Sequence, residues 1–137
     1  MTEPTDVDLD VFVKAALGKK ARNPVLLDVR HLTSLADAFL ICHGTSNRQV
    51  SAIAEHIRRE LKKQGIKALS VDGLKDGHWV LMDYGHVVIH VFYESIRSFY
   101  DLESLWSDAK RIRTPSLEQV AADPESDAGV DERVFIE

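Results

Sequence analysis

Histidine is the residue type that most directly suggests metal chemistry in this sequence, which contains six of them. His86 and His90 are predicted to lie on one face of a β-strand, four positions apart. At about 3.3 Å per residue their Cα atoms would be roughly 13 Å apart, whereas two imidazoles on one zinc ion each bind it at about 2.0–2.1 Å. His43 or His78 could complete a site, but their spacing does not require one. We therefore expect core or surface histidines and no metal site.

The segment Gly44-Thr45-Ser46 lies between a predicted strand and a predicted helix, where free backbone N–H groups could bind a phosphate. It resembles the Gly-Ser turn of nucleotidyltransferases. That chemistry needs acidic residues to hold Mg²⁺, and the nucleotidyltransferase fold carries a carboxylate pair on a strand shortly after the turn. Here the first acid is Glu55, the predicted strand 67–71 has none, and Asp72 and Asp83 stand alone. The turn therefore indicates helix capping, with a weak anion site as the open alternative.

Nucleophilic catalysis has no support in the sequence either. No Ser-His-Asp or Cys-His arrangement, Walker motif or dinucleotide fingerprint is present. Cys42, the single cysteine, lies in an apolar stretch and is interpreted as a small buried hydrophobe. A lone cysteine excludes an internal disulfide and fits a reducing compartment. We expect a protein that is not an enzyme and uses no cofactor.

The composition fits one globular domain: 137 residues, of which 45% are hydrophobic and 28% charged. Of the 22 acids and 17 bases, residues 116–137 hold seven acids and one base, which leaves 15 acids and 16 bases before them. The folded part is nearly neutral and shows no basic stripe, so DNA is not an expected partner. No apolar run could cross a bilayer, and the acidic residues 1–10 lack the pattern of a secretory signal. We expect a cytoplasmic protein.

Hydrophobic periodicity predicts an α/β fold with a mixed β-sheet flanked by helices, in the order α-β-β-α-β-β-β-α. Ser46-x-x-Gln49 has the form of a capping box at the start of the second helix. The predicted core face of that helix, at helical spacing, consists of Val50, Ile53, Ala54, Ile57 and Leu61. We divide the chain into a domain over residues 1–113 and an acidic, flexible tail over 114–137, whose apolar triplet Val134-Phe135-Ile136 could dock on the domain. The predicted helices cover residues 6–17, 47–64 and 94–106, the last with a break near Asp101, and the predicted strands before the hairpin cover 25–29, 38–43 and 67–71.

Residues 78–92 are predicted to form a β-hairpin around which the other elements pack. Tyr84-Gly85 is the predicted two-residue loop, because glycine adopts a positive φ that branched residues resist. The second strand is a nearly unbroken run of Val, Ile and Phe. Such a run favours a central strand that is buried on both faces.

Aromatic residues beside charged ones are the remaining unusual feature. Trp79 precedes Asp83, and residues 98–106 combine aromatic, apolar and acidic side chains. Phe99 and Trp106 are interpreted as core residues. The angles of an α-helix separate Tyr100 from Leu102, so one segment cannot bury every large side chain against one sheet. The surplus apolar area could bind a partner, for which Tyr and Trp are typical anchors.

A series of motifs in a set order runs along residues 6–110: Asp37-Ala38-Phe39-Leu40-Ile41-Cys42-His43-Gly44-Thr45-Ser46-Asn47-Arg48-Gln49-Val50, Ile53-Ala54, Asp72-Gly73, Trp79-Val80-Leu81-Met82-Asp83-Tyr84-Gly85, His90-Val91-Phe92 and Arg97-Ser98-Phe99-Tyr100-Asp101-Leu102-Glu103, followed by Leu105-Trp106. Taken jointly, these motifs resemble the Iojap family, the ribosomal silencing factors (RsfS). None of them is specific singly.

The resemblance implies a nucleotidyltransferase-like fold without the catalytic acids. It also implies a repressor of translation that binds the large ribosomal subunit through ribosomal protein uL-fourteen and sterically blocks subunit joining. Self-association of the free protein, as a homodimer, is implied as well. The partner surface of the family maps onto Trp79, Asp83 and Tyr100, with Leu102 and Leu105 nearby and with Val80 and Met82 as further candidates.

Two other functions stay open at the level of sequence. A divergent nucleotidyltransferase would use Ser46, Asp72 and Asp83. A generic RNA-binding module would use the basic cluster of the second helix, and its RNA affinity would fall steeply with salt. That cluster consists of Arg58, Arg59, Lys62 and Lys63.

Overall fold

A computed structural model describes residues 5–122 of the chain. Its first eight elements follow the predicted order, and three further elements come after them. None of the helices in this range is long and apolar enough to span a membrane. The elements are α1 (Thr5–Leu17), β1 (Arg22–Asp28), β2 (Ala38–Gly44), α2 (Asn47–Lys63), β3 (Ser70–Asp72), β4 (Trp79–Asp83), β5 (Val87–Tyr93), α3 (Glu94–Tyr100), α4 (Leu102–Leu105), β6 (Lys110–Arg111) and α5 (Pro115–Ala122).

The strands form one six-stranded mixed sheet in the order β3-β4-β5-β2-β1-β6. β2 and β5 pair in parallel at its centre, and the remaining neighbours are antiparallel. β2 is buried at every position, and β5 at five of its seven. The prediction that both are interior strands is therefore confirmed, and the physical reason is that each carries apolar side chains on both faces.

The two faces of the sheet are covered differently. On one, which we call the helix-covered face, α1, α2 and α5 pack on the larger hydrophobic cluster, which includes Leu40, Ile57 and Ile89. On the other, which we call the aromatic face, α3 and α4 cover a smaller cluster that includes Phe39 and Phe92. The side chains of one strand alternate between these clusters, as the period of two requires.

The start of α2 confirms half of the predicted capping box. The Ser46 hydroxyl oxygen accepts from the backbone N–H of Gln49 at 3.0 Å. The Gln49 side-chain oxygen accepts instead from the backbone N–H of Thr45 at 2.6 Å and from its hydroxyl at 2.9 Å. The Gln49 side chain thus binds Thr45, the residue before the N-cap, and not Ser46 itself. The polar groups of the turn are therefore satisfied by side chains of the turn and of the first helical residues.

Two local predictions are wrong by a small shift. Tyr84 N–H donates to the Val87 carbonyl at 2.8 Å, so the pair closes a hairpin loop of Gly85-His86 and not Tyr84-Gly85. Gly85 does take a positive φ, of 91°, but at the first position of the loop. The third strand is β3, which starts at Ser70, later than the predicted strand 67–71.

The predicted end of the domain near residue 113 is too early. α5 follows it, and both the backbone N–H and the hydroxyl of Ser116 donate to the Asp10 carboxylate at 2.9 Å. Leu117 packs against the cluster of the helix-covered face. The predicted flexibility is therefore wrong for residues 116–122, because the hydrogen bonds to Asp10 and the packing of Leu117 hold this helix on the domain. The rest of the predicted tail lies outside the described residues.

Candidate partner-binding surface

Strand β4 divides the predicted partner residues between the two faces of the sheet. Val80 and Met82 point into the cluster of the helix-covered face and are fully buried. They cannot contact a partner, and their candidacy is wrong. Trp79, Leu81 and Asp83 are half-buried and point to the aromatic face. The sequence prediction omits Leu81, although the period of two places it between Trp79 and Asp83 on the same face, which makes it a further candidate.

Trp79 is held by its neighbours on the aromatic face. Its ring lies 4.8 Å from that of Phe92, its cross-strand partner, and 4.9 Å from that of Tyr100 on α3. Its indole Nε1 donates to Nδ1 of His90 at 3.2 Å. An aromatic side chain fixed in this way loses little conformational entropy on binding. Trp79 is therefore well suited to act as an anchor.

His90 supports the tryptophan from below and is 6% exposed. Because its Nδ1 accepts the indole hydrogen, the neutral ring carries its own hydrogen on Nε2. That nitrogen is buried and has no hydrogen-bond partner within the described range. Burial lowers the pKa of His90 to about 4. The ring is therefore neutral near pH 7, as its role as an acceptor demands.

The break between α3 and α4 determines how far the remaining predicted residues are exposed. Asp101 ends α3 in the left-handed region with φ 49° and ψ 59°, at the place where the sequence suggested a break. Tyr100 is 50% exposed and Leu105 is 73% exposed, whereas Leu102 is 8% exposed and packs inside the aromatic cluster. Leu102 can therefore support the surface but presents little area to a partner.

Phe99 is the clearest error of the sequence interpretation in this segment. The sequence pattern predicts a core residue, yet Phe99 is 78% exposed and its ring meets that of Tyr100 edge-on at 5.1 Å. Trp106, given the same interpretation, is half-buried and packs edge-on against Phe39 at 5.1 Å. The break at Asp101 rotates the two halves of the segment relative to each other, so a continuous helical angle misplaces Phe99.

Arg97, which residue patterning alone did not single out, ties α3 to the sheet. Its guanidinium donates to the Asn23 carbonyl at 2.8 Å, meets Nδ1 of His43 at 2.9 Å and forms an ion pair with Glu103 at 2.6 Å. The residue is 9% exposed. A charge so far from water needs such partners. The network holds α3 and α4 on the sheet and thereby positions Tyr100.

Asp83 has a structural role at the end of β4. One carboxylate oxygen accepts from the backbone N–H of Gly85 at 2.8 Å and so braces the hairpin loop. The register pairs Asp83 with Ser70 and Asp72 with Leu81, so the two acids of the nucleotidyltransferase alternative are not directly opposite each other. Among the described residues, no group of three or more His, Cys, Asp or Glu side chains could hold a metal ion.

The remaining chemical candidates have structural explanations. Cys42 is fully buried, and burial raises the pKa of its thiol to about 12, which keeps it from acting as a thiolate. In the basic cluster of α2, Arg58 pairs with Glu55 at 2.8 Å and Lys63 with Glu60 at 3.1 Å. Half of that cluster is thus already paired with acids on the same helix face.

The sequence of the chain matches a known protein family. A family model described as "Ribosomal silencing factor during starvation" matches residues 2–134, a longer stretch than the motifs covered. The chain is 42% identical over 104 residues to ribosomal silencing factor RsfS of Halalkalibacterium halodurans, covering 76% of this chain and 89% of that protein. It is 43% identical over 101 residues to RsfS of Bacillus subtilis, covering 74% and 86%.

More distant relatives and solved structures agree. The chain is 38% identical over 104 residues to the chloroplastic protein Iojap of Zea mays, covering 76% of this chain and 45% of that one. A crystal structure from Chromobacterium violaceum superposes with a TM-score of 0.72 at 34% identity and covers 91% of this chain and all of its own. One from Bacillus halodurans gives 0.67 at 41% identity, covering 73% and 93%. The chain therefore belongs to the RsfS family of ribosomal silencing factors.

Proposed function

We propose that this chain represses translation by binding the large ribosomal subunit through ribosomal protein uL-fourteen and by blocking the approach of the small subunit. Trp79, Leu81, Asp83, Phe99 and Tyr100 form the contact, which we call the anchor surface; Leu105 lies nearby and Leu102 supports it from inside. The mechanism is steric, so no bond is made or broken and no cofactor takes part. The site of action is the cytoplasm.

The aromatic pair of half-buried Trp79 and exposed Tyr100 is the observation that carries this proposal. The centroids of the two rings are 4.9 Å apart, and half of the Tyr100 surface is exposed to solvent. Aromatic side chains in contact with each other, with a hydrogen bond behind them, are typical of energetic hot spots at interfaces. The same apolar area would explain a homodimer of the free protein, which binding to the ribosome would have to separate.

The fold supports a non-enzymatic function. We propose that it is nucleotidyltransferase-like without the catalytic acids, since the turn at Gly44-Thr45-Ser46 is filled by its own capping bonds. Neither Asp72 nor Asp83 has a second carboxylate directly opposite it in the sheet. The chain therefore offers shape and apolar area where a transferase would offer a metal site.

Substitution of the two anchors tests the contact. Trp79→Ala and Tyr100→Ala should each weaken binding to purified uL-fourteen by about 2 kcal/mol or more, measured by calorimetry. Leu35→Ala is the matched control, because Leu35 is 79% exposed in the loop between β1 and β2. Wild-type affinity in both anchor variants, with intact circular dichroism, would contradict the proposed surface.

Sedimentation with separated subunits tests the consequence. The chain should migrate with the large subunit and reduce the yield of whole ribosomes, and Trp79→Ala should do neither. Migration with the large subunit without any loss of whole ribosomes would leave binding intact and refute steric blocking. RNA affinity that falls steeply with salt in the absence of uL-fourteen would favour the RNA-binding alternative instead.

A further inference from the structure

The end of the chain carries its entire net charge. Of the 22 acids and 17 bases, residues 123–137 hold six and one, which leaves 16 of each in residues 1–122 and a net charge of −5 in the last 15 residues. Within this segment an apolar triplet, Val134-Phe135-Ile136, follows Asp131 and Glu132. A segment of this kind suits an apolar groove with a basic rim.

The described part of the chain has such a groove beside α5. It has a volume of about 210 Å³ and lies where α5 crosses β1 and the chain after β6. Half-exposed apolar side chains line it, and Arg111 and Arg113 stand at its rim. The apolar lining consists mainly of Val25, Ile112, Leu117 and Val120.

The rim is positively charged. Arg111 is exposed on the edge strand β6, and no residue between 5 and 122 forms an ion pair with it. Arg113 pairs with Glu118 at 2.7 Å, but both side chains are largely exposed, so that pair is easily exchanged. A neighbouring cavity of about 530 Å³ shares both arginines and adds Arg30, Lys110 and His31, and its basic residues outnumber the two acids there, Asp28 and Asp108. Arg111, and Arg113 once it exchanges Glu118 for another acid, would stand beside an apolar floor and favour an acidic, apolar ligand.

We propose that Val134-Phe135-Ile136 of the same chain occupies this groove, with Asp131, Glu132 and Glu137 beside Arg111 and Arg113. Chain length favours this occupant over any other. Val120 itself lines the groove and α5 ends at Ala122, so the segment starts at its own binding site. The 11 residues 123–133 can span up to roughly 36 Å, well beyond what a return to the same helix needs.

Trypsin tests the proposal in the full-length protein, because Arg133 is the single basic residue of residues 123–137. Cleavage after it releases Val134–Glu137, which mass spectrometry can follow. The peptide 123–137 gives the rate for an undocked segment. We expect the intact protein to release the tetrapeptide about tenfold more slowly than the peptide at low salt, since cleavage follows the open fraction. The protection should shrink in high salt, which screens the charged rim.

Two variants locate the docked segment. Arg111→Glu should raise the release rate to nearly that of the peptide 123–137. Phe135→Ser should raise it to nearly that of a peptide 123–137 that carries the same substitution. Lys75→Glu makes the same charge change at an exposed loop position and should leave the protection unchanged. Circular dichroism confirms that each variant is folded.

Three results would overturn the proposal. Release from the intact protein at the rate of the peptide means that the segment does not dock. Protection that Arg111→Glu and Phe135→Ser leave unchanged places it elsewhere. Protection that rises with protein concentration assigns the groove to a second copy of the chain. None of these measurements involves the ribosome, so the outcome is independent of the proposed function.

Discussion

The two faces of the sheet differ in chemistry as well as in cover. The helix-covered face consists mostly of Leu, Ile, Val and Ala side chains, with Phe12, Cys42, Met82 and Tyr84 among them, and α1, α2 and α5 close it off from water. The aromatic face holds Trp79, His90 and Phe92 together with the buried Arg97, and the two short helices α3 and α4 cover only part of it. One face is a dry core, and the other is a partly open layer of rings and hydrogen bonds.

If the aromatic face binds the partner as proposed, this difference separates stability from recognition. Apolar burial on the helix-covered face supplies the larger share of folding energy, because that energy scales with the apolar area removed from water. On the aromatic face the side chains that keep area for a partner give up part of that stabilisation. The polar groups there, such as His90 and Arg97, position rings rather than fill space. Substitutions on the two faces should therefore change different measurements.

The largest effect is expected from a cavity in the helix-covered face. Ile57 on α2 is fully buried in the larger cluster. Ile57→Ala should lower the free energy of unfolding by about 4 kcal/mol, because the variant loses the transfer free energy of the removed methyl and methylene groups and leaves a cavity in their place. Urea denaturation measures this loss. At temperatures where the variant is still folded, its affinity for uL-fourteen should stay within about twofold of wild type. A large loss of affinity in the folded variant would show that the two faces are coupled.

The sequence predicted the helix-covered face well and the aromatic face only in part. Periodicity alone identified the buried residues of α2, since Val50, Ile53 and Ile57 repeat at helical spacing and the face is uniformly apolar. It misplaced Phe99 because the left-handed turn at Asp101 breaks the helical angle. It also gave no sign that Arg97 is buried. The burial of Arg97 depends on the Asn23 carbonyl of β1 and the His43 imidazole of β2, which are far from it in the sequence.

Family resemblance predicts Trp79, Asp83 and Tyr100 as partner residues, and the alternation of side chains along β4 decides which neighbours could join them. Alternation along β4 excludes Val80 and Met82 and selects Leu81, a choice that needs the strand assignment before the family motif is applied. α5 escaped prediction because acid-rich composition suggested flexibility. Its hold on Asp10 spans more than 100 positions, which no local pattern contains.

The next effect concerns pH and belongs to the aromatic face. Burial lowers the pKa of His90 to about 4, below the ordinary value of 6.5. Between these two values the unfolded chain binds more protons, so stability should fall as the pH drops through this window. The loss at pH 4.5 should be about 2 kcal/mol relative to pH 7. His90→Asn keeps an acceptor for Trp79 but cannot titrate.

Urea denaturation of both proteins from pH 7 to pH 4.5 makes the comparison. The slope of stability against pH should be shallower in His90→Asn, whatever its absolute stability. Hydrogen bonds also lower the pKa of three carboxyls: that of Asp28 through Arg30, that of Glu60 through Lys63, and that of Asp10 through Thr114 and Ser116, where they outweigh burial. The ordinary pKa is 3.8 for the two aspartates and 4.5 for Glu60, so these contributions are lost mainly at lower pH, and both proteins share them. Equal slopes in the two proteins would mean that His90 does not resist protonation in the fold.

The smallest effect on stability, and the sharpest test of the contrast, is expected from Phe99→Ser. The ring is 78% exposed and touches the edge of Tyr100, so its removal should change the free energy of unfolding by no more than about 0.5 kcal/mol. Because the same ring extends the apolar area beside Tyr100, affinity for uL-fourteen should fall about tenfold. Leu35→Ser, at an equally exposed position on the loop before β2, should change neither quantity. A loss of stability in Phe99→Ser without a loss of affinity would mean that the exposed ring serves the fold. The aromatic face would then be an incomplete core rather than a binding surface.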